Sequence, residues 1–285
     1  MDWANKMERT QLTQLDLCSG VGAGFALAGL QLGFDLIGLC ETDFYCRDIL
    51  SKRYPRRPII GDIQRHDWGG DKFSCIIDAD IITASPPCQP FSVQGKRKGA
   101  DDERDCLPAV VKAIAAVQPR FFAIENVPGL LSCPFKFGWS SGSYFKILTG
   151  AIEQIGYRWE KLIISSGHFA APFLRERLLL VGVSGRTVIQ WERAATWSDQ
   201  AREFFEIERA AQRRRGIKPG YPKRLVQSPA ELARPLGVPS GNGLIRSQRT
   251  AAGNLLDPRV AAVALRRILY LSELSQLSAT PARFG

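Results

Sequence analysis

Histidine is nearly absent from this chain, which has only His66 and His168 among its 285 residues. Two isolated histidines supply neither a catalytic triad nor a set of zinc ligands, so catalysis or metal binding through imidazole is disfavoured. We expect each of them to be a surface or packing residue. The sequence therefore predicts no metal site.

The cysteines form no paired pattern. The chain has seven of them, scattered and without a Cys-x-x-Cys spacing, which indicates neither a disulfide framework nor a zinc site. No run is apolar enough to span a membrane, and residues 1–6 lack the pattern of a signal peptide. We therefore expect an intracellular protein with reduced thiols and no membrane partner, cytoplasmic if its source is a bacterium or a phage.

Acidic residues are outnumbered by basic ones. Lys and Arg total 38 against 28 Asp and Glu, which gives a formal net charge of +10. Basic residues cluster as Lys96-Arg97-Lys98 and as Arg213-Arg214-Arg215. A basic surface favours polyanions, because neutralised phosphates release counterions. Charge alone would also suit a generally basic soluble protein, and that alternative stays open at this point.

Short apolar runs alternate with helical stretches between residues 12 and 183, which is the pattern of a doubly wound α/β sheet. After Gly185 the composition becomes more charged, and two further helices are predicted. Strands are predicted at 12–17, 36–40, 59–60, 81–83, 121–125, 158–165 and 177–183, the last two as an antiparallel pair. Helices are predicted after the first strand through residue 30, and at 43–53, 104–117, 144–155, 198–215 and 260–277.

A cysteine between prolines follows the fourth predicted strand, in the segment Ser85-Pro86-Pro87-Cys88-Gln89-Pro90. The prolines stiffen the chain where it leaves the strand. The end of a strand in an open α/β sheet is where such folds usually carry chemistry. Cys88 is therefore a candidate nucleophile, provided that its surroundings favour the thiolate. The alternative for this residue alone is a buried structural cysteine in a turn.

A glycine-rich turn follows the first predicted strand, in the segment 16–25. Glycines there let the backbone approach a ligand, although any tight strand-to-helix turn could use them. Glu41 ends the second strand, where a carboxylate commonly binds ribose hydroxyls, and Asp62 follows the third, where it could accept from an adenine amino group. Together they suggest a nucleoside cofactor. Each carboxylate alone would more simply be a solvated loop residue.

Glu125 ends another strand at the same edge of the predicted sheet as Cys88. A carboxylate beside a cysteine can act as a general acid if desolvation raises its pKa. Arg175 and Arg177 open the last strand and could orient this glutamate or hold the polar edge of a base. Alone, these arginines would be an ordinary charged strand entry.

In order and spacing, these motifs resemble those of the C5-cytosine DNA methyltransferases. The resemblance runs from the first strand to the C-terminal helix, and Pro87-Cys88-Gln89 is its most specific element. The other matching segments are Asp16 to Phe25, Glu41, Asp62-Ile63, 92–104, Glu125-Asn126-Val127, Arg175 with Arg177, 228–239 and Gly253-Asn254.

The resemblance implies a doubly wound mixed sheet of the S-adenosylmethionine-dependent methyltransferase type, with a small second region. It implies a catalytic and cofactor-binding domain at 1–184, a short target-recognition region with a scaffold motif at 185–240, and a C-terminal segment and helix at 241–285 that return to the catalytic domain. It further implies S-adenosyl-L-methionine as methyl donor, S-adenosyl-L-homocysteine as product, double-stranded DNA as substrate, and action as a monomer without a metal.

Residue roles follow from the same resemblance. The Cys88 thiolate adds to C6 of a flipped cytosine, Glu125 binds N3 and the exocyclic amine, and Arg175 and Arg177 support them. The implied cofactor-binding residues are Asp16, Cys18, Gly20, Gly22, Gly24, Phe25, Glu41, Asp62, Ile63, Pro86 and Asn254. The implied DNA-binding residues are Gln89, Ser92, Gln94, Lys96, Arg97, Lys98 and Arg104, in a loop that closes over DNA and offers Gln94 to the gap left by the base, and Arg213, Arg214 and Arg215.

The chain also departs from the family's pattern. Phe173 stands where glutamine is usual, Leu255 follows Gly-Asn where a small residue is usual, and the variable region between residues 183 and 223 is short. We therefore expect a short or degenerate DNA target, unless 198–215 is a structural helix and a partner chain supplies the readout. A tRNA methyltransferase is disfavoured because no Cys-Phe-Thr occurs late in the chain, and a catalytically silent DNA-binding protein because every catalytic residue is present.

Overall fold

One mixed β-sheet of seven strands organises the part of the chain that the computed structural model describes, namely residues 11–68, 78–92, 97–169, 175–214 and 256–279. The strands are β1 (Thr13–Leu17), β2 (Asp35–Cys40), β3 (Ile59–Ile60), β4 (Ile81–Ala84), β5 (Phe121–Asn126), β6 (Tyr157–Ser165) and β7 (Glu176–Ser184). Their order across the sheet is β3-β2-β1-β4-β5-β7-β6. All seven strands predicted from the sequence are present.

Strand β7 runs antiparallel to both of its neighbours, β5 and β6, whereas the pairings among β1 to β5 are parallel. This confirms the predicted mixed sheet and its final antiparallel pair. Because β7 is reversed, its first residues lie at the edge where the parallel strands end, and Glu125 at the end of β5 pairs with Leu179. Residues from the end of β5 and from the start of β7 are thereby brought together.

Six helices of the described residues are α1 (Phe25–Gln31), α2 (Phe44–Arg53), α3 (Leu107–Val117), α4 (Ser143–Gln154), α5 (Trp197–Arg214) and α6 (Pro258–Ala279). The prediction that helix α3 begins at residue 104 was wrong, because it begins at Leu107. The preceding residues form local polar contacts instead. Asp102 accepts hydrogen bonds from the backbone and side chain of Arg104, and Pro108 is well suited to a first helical turn.

The helices cover the sheet on both faces. On β4, Ile82 belongs to the cluster formed with Val110 of α3, while its neighbour Ile81 belongs to the cluster formed with Val260 and Leu265 of α6. This alternation is the two-residue period of a strand that is buried on both sides. The apolar run that predicts β4 therefore reflects burial by helices on each face.

Helix α5 packs one face into the core, although the sequence places it in the target-recognition region. Trp197, Ala201, Phe204 and Phe205 are buried in the cluster that contains α1 and α6. The ring of His168 stacks on Phe205 with centroids 4.6 Å apart. This is the packing of a structural helix, which is the alternative that the sequence left open for 198–215.

No helix among the described residues is long and apolar enough to cross a membrane.

Candidate active site

Cys88 sits in a tight turn directly after β4. Its carbonyl oxygen accepts hydrogen bonds from the backbone N–H groups of Phe91 (3.0 Å) and Ser92 (2.9 Å). Phe91 is completely buried and anchors the turn in the core. The turn leaves Cys88 partly exposed, on the wall of a cavity. The structure thus presents the candidate nucleophile where a ligand can reach it.

Glu125 and Arg177 form a buried ion pair at the same edge of the sheet. Arg177 Nε lies 2.6 Å from Glu125 Oε1, and the side chains are 11% and 10% exposed. Burial raises the pKa of Glu125, and the charges of Arg177 and Arg175 oppose that rise. The carboxyl therefore takes up a proton more readily than an exposed glutamate, which suits a general acid.

The charges around Cys88 act on it in opposite directions. Burial raises the pKa of the Cys88 thiol, and the negative charge of Glu125 raises it further, while Arg177 and Arg175 lower it. Burial and the neighbouring Arg177 lower the pKa of Arg175 to about 10, which still leaves this arginine cationic at neutral pH. Protonation of Glu125 would remove a carboxylate charge that disfavours the thiolate, so the protonation states of the acid and the nucleophile are linked.

Asn126 fastens the two catalytic segments to each other, a role that the sequence analysis did not assign. Its Nδ2 donates to the carbonyl oxygen of Pro86 at 3.4 Å, and its Oδ1 accepts from the backbone of Val127 at 2.9 Å. Asn126 is 1% exposed. Its place inside the Glu125-Asn126-Val127 motif was the available signal. Pro86 is itself buried, and the neighbouring Pro87 lines the cavity instead.

The cavity has a volume of about 170 Å³ and joins the cysteine turn to the glycine-rich turn after β1. Its wall therefore combines the candidate catalytic residues with the candidate cofactor-binding residues. Predicted site residues on this wall are Asp16, Cys18, Gly20, Gly24, Phe25, Glu41, Ile63, Cys88, Glu125, Arg175 and Arg177. Lining residues to which the sequence analysis gave no role at the site include Ser19, Gly61, Ser85, Cys106 and Leu256.

The three glycines of the turn have different roles. Gly20 has a positive φ of 55°, and no atom lies within 4 Å of where its Cβ would be, so it opens the cavity wall. Gly22 faces helix α2 instead, since its Cβ would lie 2.4 Å from the ring of Tyr54. Gly24 lets Leu256 approach, since a Cβ on residue 24 would lie 2.8 Å from the Cβ of Leu256. Only Gly20 and Gly24 line the cavity, and Gly22 packs.

Glu41 is held at the cavity wall by backbone donors. Gly20 N–H donates to Oε2 at 2.7 Å, and the N–H groups of Thr42 and Asp43 donate to Oε1 at 2.8 and 2.9 Å. Oε1 thus accepts two hydrogen bonds, whereas Oε2 accepts one and keeps a lone pair for a further donor. This geometry suits a ligand hydroxyl group that donates to Oε2.

Asp16 is the second carboxylate of the wall and is 2% exposed. Burial raises the pKa of Asp16 to about 7, and the nearby charge of Glu41 contributes to this rise. The hydrogen bond from Thr83 acts in the opposite direction and lowers the pKa. Two carboxylates in one pocket favour a cationic ligand.

Asp62 does not line this cavity. Its carboxylate instead accepts from Gln64 N–H at 2.9 Å and pairs with Arg65 at 3.3 Å.

Several predicted DNA-binding residues contact the protein itself. Arg97 Nη2 donates to the Gly129 carbonyl oxygen at 3.1 Å and to Ser132 Oγ at 2.9 Å, which ties its segment to the turn after β5. Arg104 holds Asp102 through two hydrogen bonds of 2.8 and 2.7 Å and lowers the pKa of that carboxyl to about 2.

The remaining predicted DNA-binding residues are distributed along the chain. Gln89 and Ser92 are partly buried in the cysteine turn, whereas Lys98, Arg213 and Arg214 are exposed. Some residues singled out from the sequence lie outside the described residues, namely Gln94, Lys96, Phe173, Arg215, Gly253, Asn254 and Leu255, together with the segment 228–239.

Known proteins share this sequence pattern and fold. A type II methyltransferase, M.AplI of Arthrospira platensis, is 33% identical over 193 residues, which are 66% of this chain and 50% of that protein. M.NgoBI of Neisseria gonorrhoeae, also named a type II methyltransferase, is 34% identical over 60% of this chain and 50% of its own length. The chain thus spans about half the length of these curated relatives.

Solved structures show the same fold at low sequence identity. A putative DNA modification methyltransferase encoded within an Escherichia coli prophage superposes with a TM-score of 0.62 at 18% identity, over 92% of this chain and 100% of that one. A Spodoptera frugiperda DNMT2 variant gives 0.61 at 13% identity, over 91% and 100%. The model of the C-5 cytosine-specific DNA methylase family matches residues 12–240. The chain therefore belongs to the C-5 cytosine-specific DNA methylase family.

Proposed function

We propose that this chain transfers a methyl group from S-adenosyl-L-methionine to C5 of cytosine in double-stranded DNA. One observation carries the proposal. The walls of a single cavity hold Cys88, Glu125, Arg175 and Arg177 beside the glycine-rich turn and Glu41. A nucleophile, an acid and a nucleoside-binding surface are then close enough to act on one pair of ligands.

The residues of the cavity fit the proposed cofactor. Glu41 offers a free lone pair on Oε2, and Asp16 adds a second carboxylate nearby. S-adenosyl-L-methionine carries a positive sulfonium and an ammonium group, and it supplies an activated methyl group when bound. We expect Glu41 to accept from a ribose hydroxyl and Asp16 to face the positive end. The neutral walls formed by Phe25 and Leu256 would exclude water.

The chain's own residues would then act in a defined order on a flipped cytosine. While it is protonated, Glu125 is uncharged, which favours the Cys88 thiolate beside it. As the Cys88 sulfur adds to C6, Glu125 gives its proton to N3, and C5 becomes nucleophilic toward the methyl group. Once C5 carries the methyl group, loss of the C5 proton to water and return of the N3 proton to Glu125 let the Cys88 thiolate leave, which restores the ring. Arg177, 2.6 Å from Glu125, would fix the orientation of the carboxyl throughout.

A covalent trap tests the assignment. We would incubate the chain with S-adenosyl-L-methionine and duplex DNA that contains 5-fluorocytosine, because fluorine cannot leave from C5 as a proton does. The expected result is a protein–DNA adduct that survives denaturing electrophoresis. Cys88→Ala should form none. Cys133→Ser is the matched control, because Cys133 is buried away from the cavity. An adduct formed by Cys88→Ala would refute the assignment.

We also propose that the DNA target is short, of roughly two to four base pairs, with strongly salt-dependent binding. Helix α5 buries its apolar face in the core, which leaves few of its side chains for base readout. Exposed Arg213 and Arg214 suit phosphates, which position DNA without specifying a sequence. Methylome sequencing of cells that express the chain would give the site. A stringent site of about six or more base pairs from the purified chain alone would contradict this proposal.

A further inference from the structure

A buried chain of polar side chains links β1, β4 and α1 behind the cofactor end of the cavity. Gln14 and Thr83 are completely buried, and Asp16 is 2% exposed. Gln14 Nε2 donates to Thr83 Oγ1 at 2.9 Å and to the carbonyl oxygen of Phe25 at 3.1 Å. Thr83 Oγ1 in turn donates to Asp16 Oδ1 at 2.7 Å. Asp16 and Phe25, which lie at the two ends of this series of hydrogen bonds, both line the cavity.

The surrounding structure makes room for Gln14 at a cost to packing. A Cβ on Gly29 of α1 would lie 1.8 Å from Gln14 Oε1, so any larger residue at that helical position would displace the Gln14 amide. Gln14 Oε1 itself has no hydrogen-bond partner among the described residues. A buried polar side chain with an unsatisfied oxygen is unfavourable for folding. The presence of this side chain in the core therefore indicates a role other than stability.

That role follows from the direction of the Thr83 hydroxyl. The hydroxyl has one hydrogen and two acceptors within reach, Asp16 Oδ1 at 2.7 Å and the Leu15 carbonyl oxygen at 3.5 Å. Gln14 Nε2 donates to the Thr83 oxygen and so occupies one of its lone pairs. The hydrogen is thus directed to Asp16, whose carboxylate is fixed in one orientation toward the cavity.

We propose that Gln14 and Thr83 are positioning residues that orient the Asp16 carboxylate toward the ammonium group of the bound cofactor. This inference rests on the proposed function. It gives β4 a second role besides leading into the Cys88 turn, since Thr83 of the same strand would hold the carboxylate that pairs with the cofactor.

The arrangement predicts a pH profile for cofactor binding. Burial raises the pKa of Asp16 to about 7, and the Thr83 hydrogen bond lowers it. The titratable groups that face Asp16 are Glu41, Cys40 and Tyr54. Because the ionised carboxylate binds the ammonium group, affinity should rise with pH up to about 7 and then level off. We call the pH at which the affinity levels off the break of the profile. Loss of the hydrogen bond from Thr83 should move this break to higher pH.

The experiment measures the affinity for S-adenosyl-L-homocysteine by calorimetry between pH 5.5 and 8.5. In Thr83→Val we expect roughly tenfold weaker binding near pH 7 and a break moved upward by roughly one pH unit. Thr83→Ser keeps the donor and should restore the wild-type profile. Gln14→Met should shift the profile in the same direction by a smaller amount. Gln14→Met also tests the series of hydrogen bonds from Gln14 to Asp16 if Thr83→Val does not fold. Thr149→Val is the matched control, because Thr149 is equally a buried threonine but donates only to the carbonyl oxygens of Phe145 and Lys146 in α4.

Each outcome separates the two proposals. If the wild type binds no S-adenosyl-L-homocysteine, the proposed function fails, and this inference fails with it. If the wild type binds and Asp16→Asn does not, while Thr83→Val and Gln14→Met both keep the wild-type break, the positioning role is refuted and the proposed function stands. A break that moves equally in Thr83→Val and Thr83→Ser would also overturn the role, since only the hydroxyl donor distinguishes them.

Discussion

Replacement of Arg177 by methionine should destabilise the protein in a pH-dependent way. Arg177 Nε lies 2.6 Å from Glu125 Oε1, and both side chains are about nine-tenths buried. Methionine keeps an unbranched chain but leaves the Glu125 charge without its nearest partner. Removal of one member of a buried ion pair typically costs about 3–5 kcal/mol. Arg175 also faces Glu125 and compensates in part, so we expect the lower end of that range at pH 7.5.

The expected loss is limited by protonation of Glu125. The pKa of Glu125 is already raised by burial in the folded state, and loss of Arg177 raises it further. A carboxyl with a raised folded pKa stabilises the fold below its unfolded pKa, near 4.3, and that stability is lost as pH rises through the folded pKa. The difference between wild type and Arg177→Met should therefore be small near pH 5 and grow toward pH 7.5, by at most about 1.4 kcal/mol per pH unit.

Urea unfolding followed by circular dichroism at pH 5.5, 6.5 and 7.5 measures this difference. Arg202→Met is the control, because the Arg202–Asp199 pair on α5 is exposed and should cost under about 0.5 kcal/mol at each pH. In a second control, Glu125→Gln added to Arg177→Met removes both charges and should recover part of the loss. A loss in Arg177→Met that is the same at all three pH values, or no larger than that of Arg202→Met, would refute the reasoning.

Three further substitutions test other parts of the structure. Glu41→Ala should weaken binding of S-adenosyl-L-homocysteine by about 1.5–3 kcal/mol in calorimetry, the range for hydrogen bonds to a charged group, and unchanged affinity would place the ribose elsewhere. Gly182→Ala should cost about 1–3 kcal/mol in urea unfolding, because its Cβ would lie 1.9 Å from the buried ring of Phe122, whereas Gly150→Ala in α4, with open space at the Cβ position, should be neutral or stabilising. Arg267→Met should lower the midpoint of thermal unfolding strongly, because Arg267 is buried and holds Glu160 through hydrogen bonds of 2.8 and 2.7 Å, and a change like that of an exposed arginine would contradict this view.

The residues that could be predicted from the sequence are those that follow strands. Cys88, Glu125 and Glu41 come directly after or at the end of apolar runs, and parallel strands end at one edge of a sheet. That local rule is enough to place them together. Arg177 also follows from the pattern, because an antiparallel last strand brings its first residues to the same edge.

The residues that the sequence did not reveal depend on which surfaces meet across the fold. Gln14 lies in a strand and is completely buried, yet a polar residue at such a position usually indicates a solvent-facing site. The resemblance predicts that Arg97 binds DNA, and the structure adds a contact to Ser132 beyond β5. The sequence left open that α5 is a structural helix, but it did not indicate that the aromatic residues of α5 pack against α6. In each case the surroundings of the residue are set by a contact between segments that are distant in sequence. The local sequence pattern does not indicate such a contact.

Helix α6, although it is the last described helix, belongs in space to the sheet that begins with β1. It packs against α1 and β7, and Leu256 just before it touches Gly24. The first and the last described helices therefore complete one core together. Contacts between segments that lie so far apart in sequence form slowly, because the entropy of closing the intervening chain must be lost first. The cluster that joins α1 to α6 should therefore be among the last parts of the core to form when the protein folds.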